Sequence, residues 1–240
     1  MGDTKLTFKR YEKKYLLSRE KYERLRQVLD VHIKPDRFFE STVCSIYYDT
    51  EDFELIRRSV EKPVYKEKLR VRSYNIPTAD GTVFVELKKK YKGIVYKRRI
   101  TMTAQEASDY LAGRRSAPVE SQMSHEIDWF LKFYDPVPKV LIACDRQAYV
   151  AVDDPELRIT FDENLRWRED DLDLTHGSHG SPLVQDDMVL MEVKIPGAAP
   201  LWLAHIFSEL EIYSGSFSKY GTCYRENLVQ NYFNGVIYCV

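Results

Sequence analysis

The strands this chain can form carry charge on the face where a strand normally carries its core. Charged or polar residues alternate with apolar ones in Lys68-Leu69-Arg70-Val71-Arg72, Val85-Glu86-Leu87-Lys88, Arg158-Ile159-Thr160-Phe161-Asp162 and Glu192-Val193-Lys194, and Lys97-Arg98-Arg99-Ile100 is more basic still. Side chains alternate faces along a strand, so each segment presents one apolar face and one charged face. One such strand is ordinary half-exposed structure. Five, mostly basic, point to a common charged surface whose complement is a polyanion.

Parity assigns the members of that surface. The first strand contributes Arg10, Glu12 and Lys14; the others contribute Lys68, Arg70, Arg72, Glu86, Lys88, Lys97, Arg99, Arg146, Arg158, Asp162, Glu192 and Lys194, eleven basic residues against four acidic in all. A dry interior does not hold this set, because each unpaired buried ion costs several kcal/mol and four carboxylates cannot pair eleven cations. The face is therefore wet surface or the lining of a hydrated, anion-binding channel. On the opposite parity, Leu69, Val71, Val85, Leu87, Ile159, Phe161, Met191, Val193 and Ile195 form apolar faces on which helices can pack. A barrel with helices outside and a flat sheet with helices on one face both satisfy the pattern; the barrel is the expectation. Arginine is heavily used, and its guanidinium grips phosphate oxygens bidentately where lysine acts as a point charge. A narrow channel suits a thin, linear polyanion. Duplex nucleic acid does not fit, and Tyr47 is the best of few inward aromatics, which argues against stacked single strands.

Composition limits the alternatives. The chain has 240 residues, 44% hydrophobic, enough for one large domain over 1–240. With 36 basic and 37 acidic residues the net charge is −1, so positive charge must be concentrated locally. Cys44, Cys144, Cys223 and Cys239 form no C-x-x-C pair and no zinc-type spacing. Cys44 and Cys144 sit in apolar runs and read as reduced core thiols, which fits a cytoplasmic protein. No signal peptide, myristoylation site or membrane-length apolar run is present, so the chain reads as soluble, or held at a membrane only through a partner.

Eight strands are expected, over about 6–16, 42–49, 64–74, 82–90, 94–102, 139–150, 157–162 and 188–195. Ser18 caps a helix over about 19–30, with Tyr22, Leu25 and Leu29 on one face. Thr50 is expected to cap a short helix with Glu51 and Asp52 in its first turn. Thr103 and Glu106 form a capping box, with Gly113 as the stop. Met123, Ile127, Phe130 and Tyr134 make a stripe ended by Pro136 and Pro138. Pro200 opens a helix with Leu203, Ile206, Phe207 and Leu210 inward, and a last helix follows Lys219 with Tyr220, Tyr224 and Leu228 on one face. The stretch from Arg168 to Asp187 is expected to be a long loop. Its His176 and His179 have no acidic or thiol partner at firm spacing, so a solvated loop is preferred over a metal site. His32, His125 and His205 are scattered and read as structural. The phosphate loop G-x-x-x-x-G-K-[ST], G-x-G-x-x-G and G-x-S-x-G are absent.

The segment Arg10-Tyr11-Glu12-Lys13-Lys14-Tyr15 resembles the opening strand of the vacuolar transporter chaperone (VTC) polyphosphate polymerase family. So do Leu69-Arg70-Val71-Arg72, Val85-Glu86-Leu87-Lys88, Lys97-Arg98-Arg99, Asp145-Arg146-Gln147-Ala148-Tyr149, Arg158-Ile159-Thr160-Phe161-Asp162, Met191-Glu192-Val193-Lys194 and Phe217-Ser218-Lys219-Tyr220, in the right order. The resemblance implies the triphosphate tunnel metalloenzyme, or CYTH-like, fold: an α+β architecture with an eight-stranded antiparallel β-barrel tunnel. It also implies synthesis of inorganic polyphosphate from ATP with Mn²⁺ or Mg²⁺. Arg70, Arg72, Lys88, Lys97, Arg146 and Arg158 match its phosphate-binding positions, Glu192 its metal-binding glutamate, and Ser218 and Lys219 a Ser-Lys pair that contacts phosphate. Glu12 is either a second metal ligand or a partner orienting Lys14 or Arg10, and Glu86 reads as the structural partner of a neighbouring cation. Lys219 reads as a phosphate anchor or as a solvated residue at a helix start. The wider superfamily carries Glu-x-Glu-x-Lys in the first strand where this chain has Arg10-x-Glu12-x-Lys14. Losing a carboxylate removes a hard oxygen ligand and adds a phosphate anchor, which shifts the reading away from a plain triphosphatase. The chain resembles a free-standing catalytic domain without the regulatory and membrane domains of eukaryotic relatives. The roles implied for catalysis fall on Lys219, Glu192, Arg70 and Arg72. A tripolyphosphatase or nucleoside triphosphatase on the same fold, and a polyphosphate-binding module without catalysis, are the alternatives.

Overall fold

A computed structural model of the protein describes residues 10–92, 94–185 and 187–229. Residues 6–9 of the first expected strand, the side chain of Arg10, and Cys239 lie outside that description. The elements are β1 (Arg10–Ser18), α1 (Arg19–Leu29), β2 (Ile33–Asp49), α2 (Glu54–Val60), β3 (Tyr65–Tyr74), β4 (Thr82–Tyr91), β5 (Ile94–Thr103), α3 (Ala104–Leu111), α4 (Gln122–Tyr134), β6 (Val137–Ala151), β7 (Arg158–Arg168), β8 (Ser181–Pro182), β9 (Met188–Pro196), α5 (Leu201–Glu209) and α6 (Lys219–Cys223), which continues into a π-helical turn over Tyr224–Leu228.

The strands hydrogen-bond in the order β1-β9-β7-β6-β2-β3-β4-β5, with β8 on β7. The pairings β1–β9, β9–β7, β7–β8, β2–β3, β3–β4 and β4–β5 are antiparallel. Among the described residues this path ends on β1 and β5 and does not close. The architecture is therefore an antiparallel sheet with helices, without the hydrogen-bonded closure that a barrel requires. Closure depends on tilt and stagger of the edge strands, which face parity does not encode. No described helix is long and apolar enough to cross a membrane.

Packing divides the chain into two compact units. The first comprises Met1–Ser41, Asp145–Leu165 and Val184–Phe217; the second comprises Thr42–Cys144, Arg166–Leu183 and Ser218–Val240. In the first, the odd-numbered face of β1 (Tyr15, Leu17) joins Ile159 and Phe161 of β7, Met191, Val193 and Ile195 of β9, Leu25 and Leu29 of α1, and Leu203 and Ile206 of α5. In the second, Cys44 and Ile46 of β2, Leu69 and Val71 of β3, Val83, Val85 and Leu87 of β4 and Ile100 of β5 pack against Ala107 and Leu111 of α3 and Ile127 and Phe130 of α4. Both cores use the apolar parity of strands whose other parity is charged.

The caps follow the local sequence. Ser18 Oγ accepts from Lys21 N, and Thr103 and Glu106 form the full capping box at 3.1 and 3.0 Å. Cys44, Cys144 and Cys223 are buried.

Four expectations need correction. β2 starts at Ile33, nine residues early, because Ile33–Ser41 contains Pro35 and an exposed pattern without alternation. β7 runs on to Arg168, and the expected loop contains β8 and a 3₁₀ turn over Leu174–His176. Its organiser is the buried Arg168 guanidinium, which donates to the carbonyls of Asp171, Asp173, Gly177 and His179 at 2.9–3.1 Å. α2 starts at Glu54, after Glu51 and Asp52; Thr50 Oγ still accepts from Glu54 N at 2.8 Å. Met123 is exposed, whereas Ile127 and Phe130 are buried.

Candidate functional site

Each unit carries a charged cluster on the face opposite its core. In the second unit the register sets Tyr47, Arg70, Glu86 and Arg99 side by side across β2–β5, with Ser45 and Arg72 on one side and Lys68, Lys88 and Lys97 on the other. Glu86 is the hub, 1% exposed. Its Oε2 accepts from Arg70 Nε at 2.8 Å, and its Oε1 accepts from Arg99 Nε at 2.7 Å and lies 2.6 Å from Lys97 Nζ. Burial pushes the Glu86 carboxyl up, but Arg70, Arg72 and Lys97 outweigh it and hold the group well below the usual carboxylate range. Burial depresses the Lys97 ammonium, and Arg99 and Arg70 add to the depression against the pull of Glu86. Arg72 is buried and donates to Ser45 Oγ at 3.1 Å. Among the described residues, the strand register thus sets the Glu86 carboxylate amid Lys68, Arg70, Arg72, Lys88, Lys97 and Arg99. The three lysines stand opposite one another across β3–β5, a concentration of like charge that suits an anion.

α6 adds the Ser-Lys pair to this cluster. Ser218 Oγ accepts from Lys68 Nζ at 3.0 Å and from Gly221 N at 3.2 Å. Tyr47 lies against Tyr220, ring centroids 4.8 Å apart and planes 20° from parallel, and its hydroxyl accepts from Arg70 Nη1 at 3.3 Å. Burial would raise the Tyr47 phenol; Arg70, Arg72 and Lys219 together bring it below its ordinary value. Lys219 lies in the chain between Ser218 and Tyr220, both of which touch this cluster.

In the first unit, Lys14, Glu192 and Thr160 are cross-strand neighbours, as are Glu12, Lys194 and Arg158. Lys14 Nζ lies 2.9 Å from Glu192 Oε1 and 3.7 Å from Glu12 Oε1. Arg146 grips Asp162 bidentately at 2.6 and 2.7 Å and lies 3.7 Å from Glu192 Oε2. Burial depresses the Lys194 ammonium. Arg158 is paired with Asp36, which the sequence reading missed because it lies in the unread start of β2. The expected residues are thus gathered within two clusters: Lys14, Arg146, Arg158, Lys194, Glu12 and Glu192 in one, and Lys68, Arg70, Arg72, Lys88, Lys97, Arg99, Ser218 and Lys219 in the other.

A Mg²⁺ or Mn²⁺ ion is commonly bound through one or two carboxylates and completed by phosphate oxygens and water. Glu12 and Glu192 fit that limited donor set, because both carboxylates converge on a single cation, the Lys14 ammonium. Among the described residues no group of three His, Cys, Asp or Glu side chains is arranged to hold a metal by itself. His176 does have an acidic partner, contrary to expectation: its Nδ1 lies 2.5 Å from Asp171 Oδ1, and His179 Nε2 lies 3.9 Å from Asp171 Oδ2. The turn at Leu174–His176 brings them back to Asp171, a return that spacing alone does not show.

Asp49 and Tyr220 were also missed. Tyr220 donates to Asp49 Oδ2 at 2.9 Å, and Asp49 also accepts from the backbone N–H groups of Thr50, Leu55 and Ile56. The available signal was an aspartate immediately before the expected cap Thr50.

Comparison with known proteins places this geometry. A crystal structure of a Bacillus halodurans protein described as a candidate adenylate cyclase superposes with a TM-score of 0.55 at 16% identity, covering 86% of this chain and 92% of the other, and so shares the fold. Vacuolar transporter chaperone complex subunit 4 of Trypanosoma brucei brucei is 26% identical over 203 residues, 71% of this chain and 26% of the relative. The Trypanosoma cruzi subunit 4 is 25% identical over 219 residues, 75% and 27% respectively. The chain thus spans about a quarter of the length of these curated relatives. The VTC domain family matches residues 9–227, nearly the whole chain, and the chain belongs to that family.

Proposed function

We propose that the protein is a metal-dependent polyphosphate polymerase, transferring the γ-phosphoryl group of ATP to a growing inorganic polyphosphate chain. The observation that carries the reading is the second unit's row of Lys68, Lys88 and Lys97 beside Arg70, Arg72 and Arg99, gathered around Glu86 by the strand register. Phosphoryl transfer asks of a protein mainly positioning and neutralisation of charge on non-bridging oxygens. Arg70, Arg72 and Arg99 offer planar forks for those oxygens, and the lysines and Lys219 offer point charges along a chain. The terminal phosphate of a polyphosphate chain is already an anionic nucleophile, so no strong general base is required. Glu192 and Glu12 would hold a Mg²⁺ or Mn²⁺ ion, which would supply further neutralisation of phosphate charge. Lys14 lies against both carboxylates and Arg146 against Glu192. ATP and polyphosphate are the proposed partners, with the protein acting in the cytoplasm.

Incubation with ATP and Mn²⁺ tests the reading. ADP together with long polyphosphate is the expected outcome. ADP with free phosphate alone would replace the polymerase by a hydrolase, and binding of tripolyphosphate without any turnover would replace the enzyme by a binding module.

A further inference from the structure

Lys219 opens α6, which runs on through the π-helical turn to Leu228, so its place depends on what holds the start of that helix. The second unit provides a buried chain of contacts that does this. Asp49 is fully buried at the end of β2, where its carboxylate is held by the backbone N–H groups of Thr50, Leu55 and Ile56 at 2.8–3.0 Å. It also accepts from the Tyr220 hydroxyl at 2.9 Å, and at 3.5 Å from the Thr50 hydroxyl. Tyr220 is 3% exposed, and its ring stacks on Tyr47, whose hydroxyl accepts from Arg70. Tyr220 is the residue after Lys219. Fixing its ring and its hydroxyl fixes the first turn of α6 relative to Arg70.

We propose that Tyr220 and Asp49 are positioning residues that hold Lys219 and Arg70 in one phosphate-gripping arrangement, through the Asp49–Tyr220 hydrogen bond and the Tyr220–Tyr47 stack. The inference rests on the anion-binding reading of this face and adds to it two residues that touch no substrate. A point charge on a flexible stem loses much of its value when its backbone is free to shift, so the pin acts on affinity as well as on stability.

The test is a double-mutant cycle read by titration of tripolyphosphate into the full chain, well below the melting temperature of every variant. Lys219→Ala and Tyr220→Phe are each expected to weaken binding by about tenfold, which corresponds to about 1.4 kcal/mol. In the Lys219→Ala background, Tyr220→Phe is expected to add less than about a twofold loss, because what it positions is gone. Asp49→Asn keeps size and an acceptor oxygen for the hydroxyl, and is expected to retain most of the affinity; Asp49→Ala removes that acceptor and stands in for Tyr220→Phe in the cycle if that variant does not fold. A Tyr220→Phe protein with wild-type affinity, or losses that simply add to those of Lys219→Ala, overturns the positioning role while the wild type still binds. Absence of tripolyphosphate binding by the wild type overturns the anion-binding reading itself.

Discussion

Glu86 decides whether the cations around it form a site or a repulsive cluster. Its 1% exposure and three cationic partners make it the hub of the second unit's charged face. Removing one partner of a buried pair strands the others, and since these partners remain partly exposed, Glu86→Gln is expected to cost about 2–3 kcal/mol in denaturant unfolding. The pH dependence carries a sign. The folded Glu86 carboxyl titrates well below its unfolded value, so its contribution is complete above about pH 4.3 and is lost as pH falls toward the folded value. Wild-type stability should therefore fall more steeply below that pH than that of Glu86→Gln; parallel curves would remove Glu86 as the hub. Glu192 is expected to matter differently. Glu192→Gln keeps the volume, loses the proposed metal ligand, and should lower metal-dependent kcat by about a hundredfold or more while leaving tripolyphosphate affinity equal or tighter. An unchanged rate with the same metal dependence would assign Glu192 to its ion pairs with Lys14 and Arg146. Parity placed both glutamates on the correct face. It did not reveal which cations they meet, because cross-strand register is a tertiary property: Arg146 turns to Asp162, and Arg158 turns to Asp36.

At the scale of elements, local signals were most legible where a side chain satisfies backbone within three residues. The capping box at Thr103 is such a case, and Thr103→Ala is expected to destabilise the protein by about 1 kcal/mol, measured as a shift of the unfolding midpoint. The start of α2 was misjudged because two acceptors compete for its N–H groups: Thr50 takes Glu54, while Asp49 reaches Leu55 and Ile56. The stretch after Arg168 was least legible. A Gly-, Ser- and His-rich segment has no periodicity, and its order comes from one buried guanidinium bound to four carbonyls. Arg168→Lys replaces a five-donor fork by three donors on a thinner stem. Amide exchange over 171–179 should then accelerate by about tenfold or more through local opening, with the β3–β5 strands unaffected. Equal acceleration throughout the second unit would mean that Arg168 holds more than this loop.

For the whole molecule, alternation gave the faces and the family resemblance gave the order of motifs, while the barrel that the resemblance implies is not closed by hydrogen bonds among the described residues. Two strands with the right faces satisfy the same pattern whether or not their edges meet. The charge balance is also invisible in the total: a net charge of −1 conceals a face on which, among the described residues, the register gathers six cations around Glu86. A polyanion bound to the folded face alone links ligand binding to folding stability. Tripolyphosphate at about a hundred times its dissociation constant should stabilise the fold by about 2.7 kcal/mol. For a chain of this length that is a rise in melting temperature of roughly 5–10 °C. The rise should shrink as salt increases, because counterions screen the partly exposed cations Lys97 and Arg99. It should also shrink in Arg70→Ala and Arg72→Ala, and persist in Met123→Ala, whose side chain lies exposed on α4. A shift insensitive to both salt and the arginine substitutions would place the anion elsewhere. No shift at millimolar tripolyphosphate would show that the lysine row is held without a polyanion, and would remove the observation on which the polymerase reading depends.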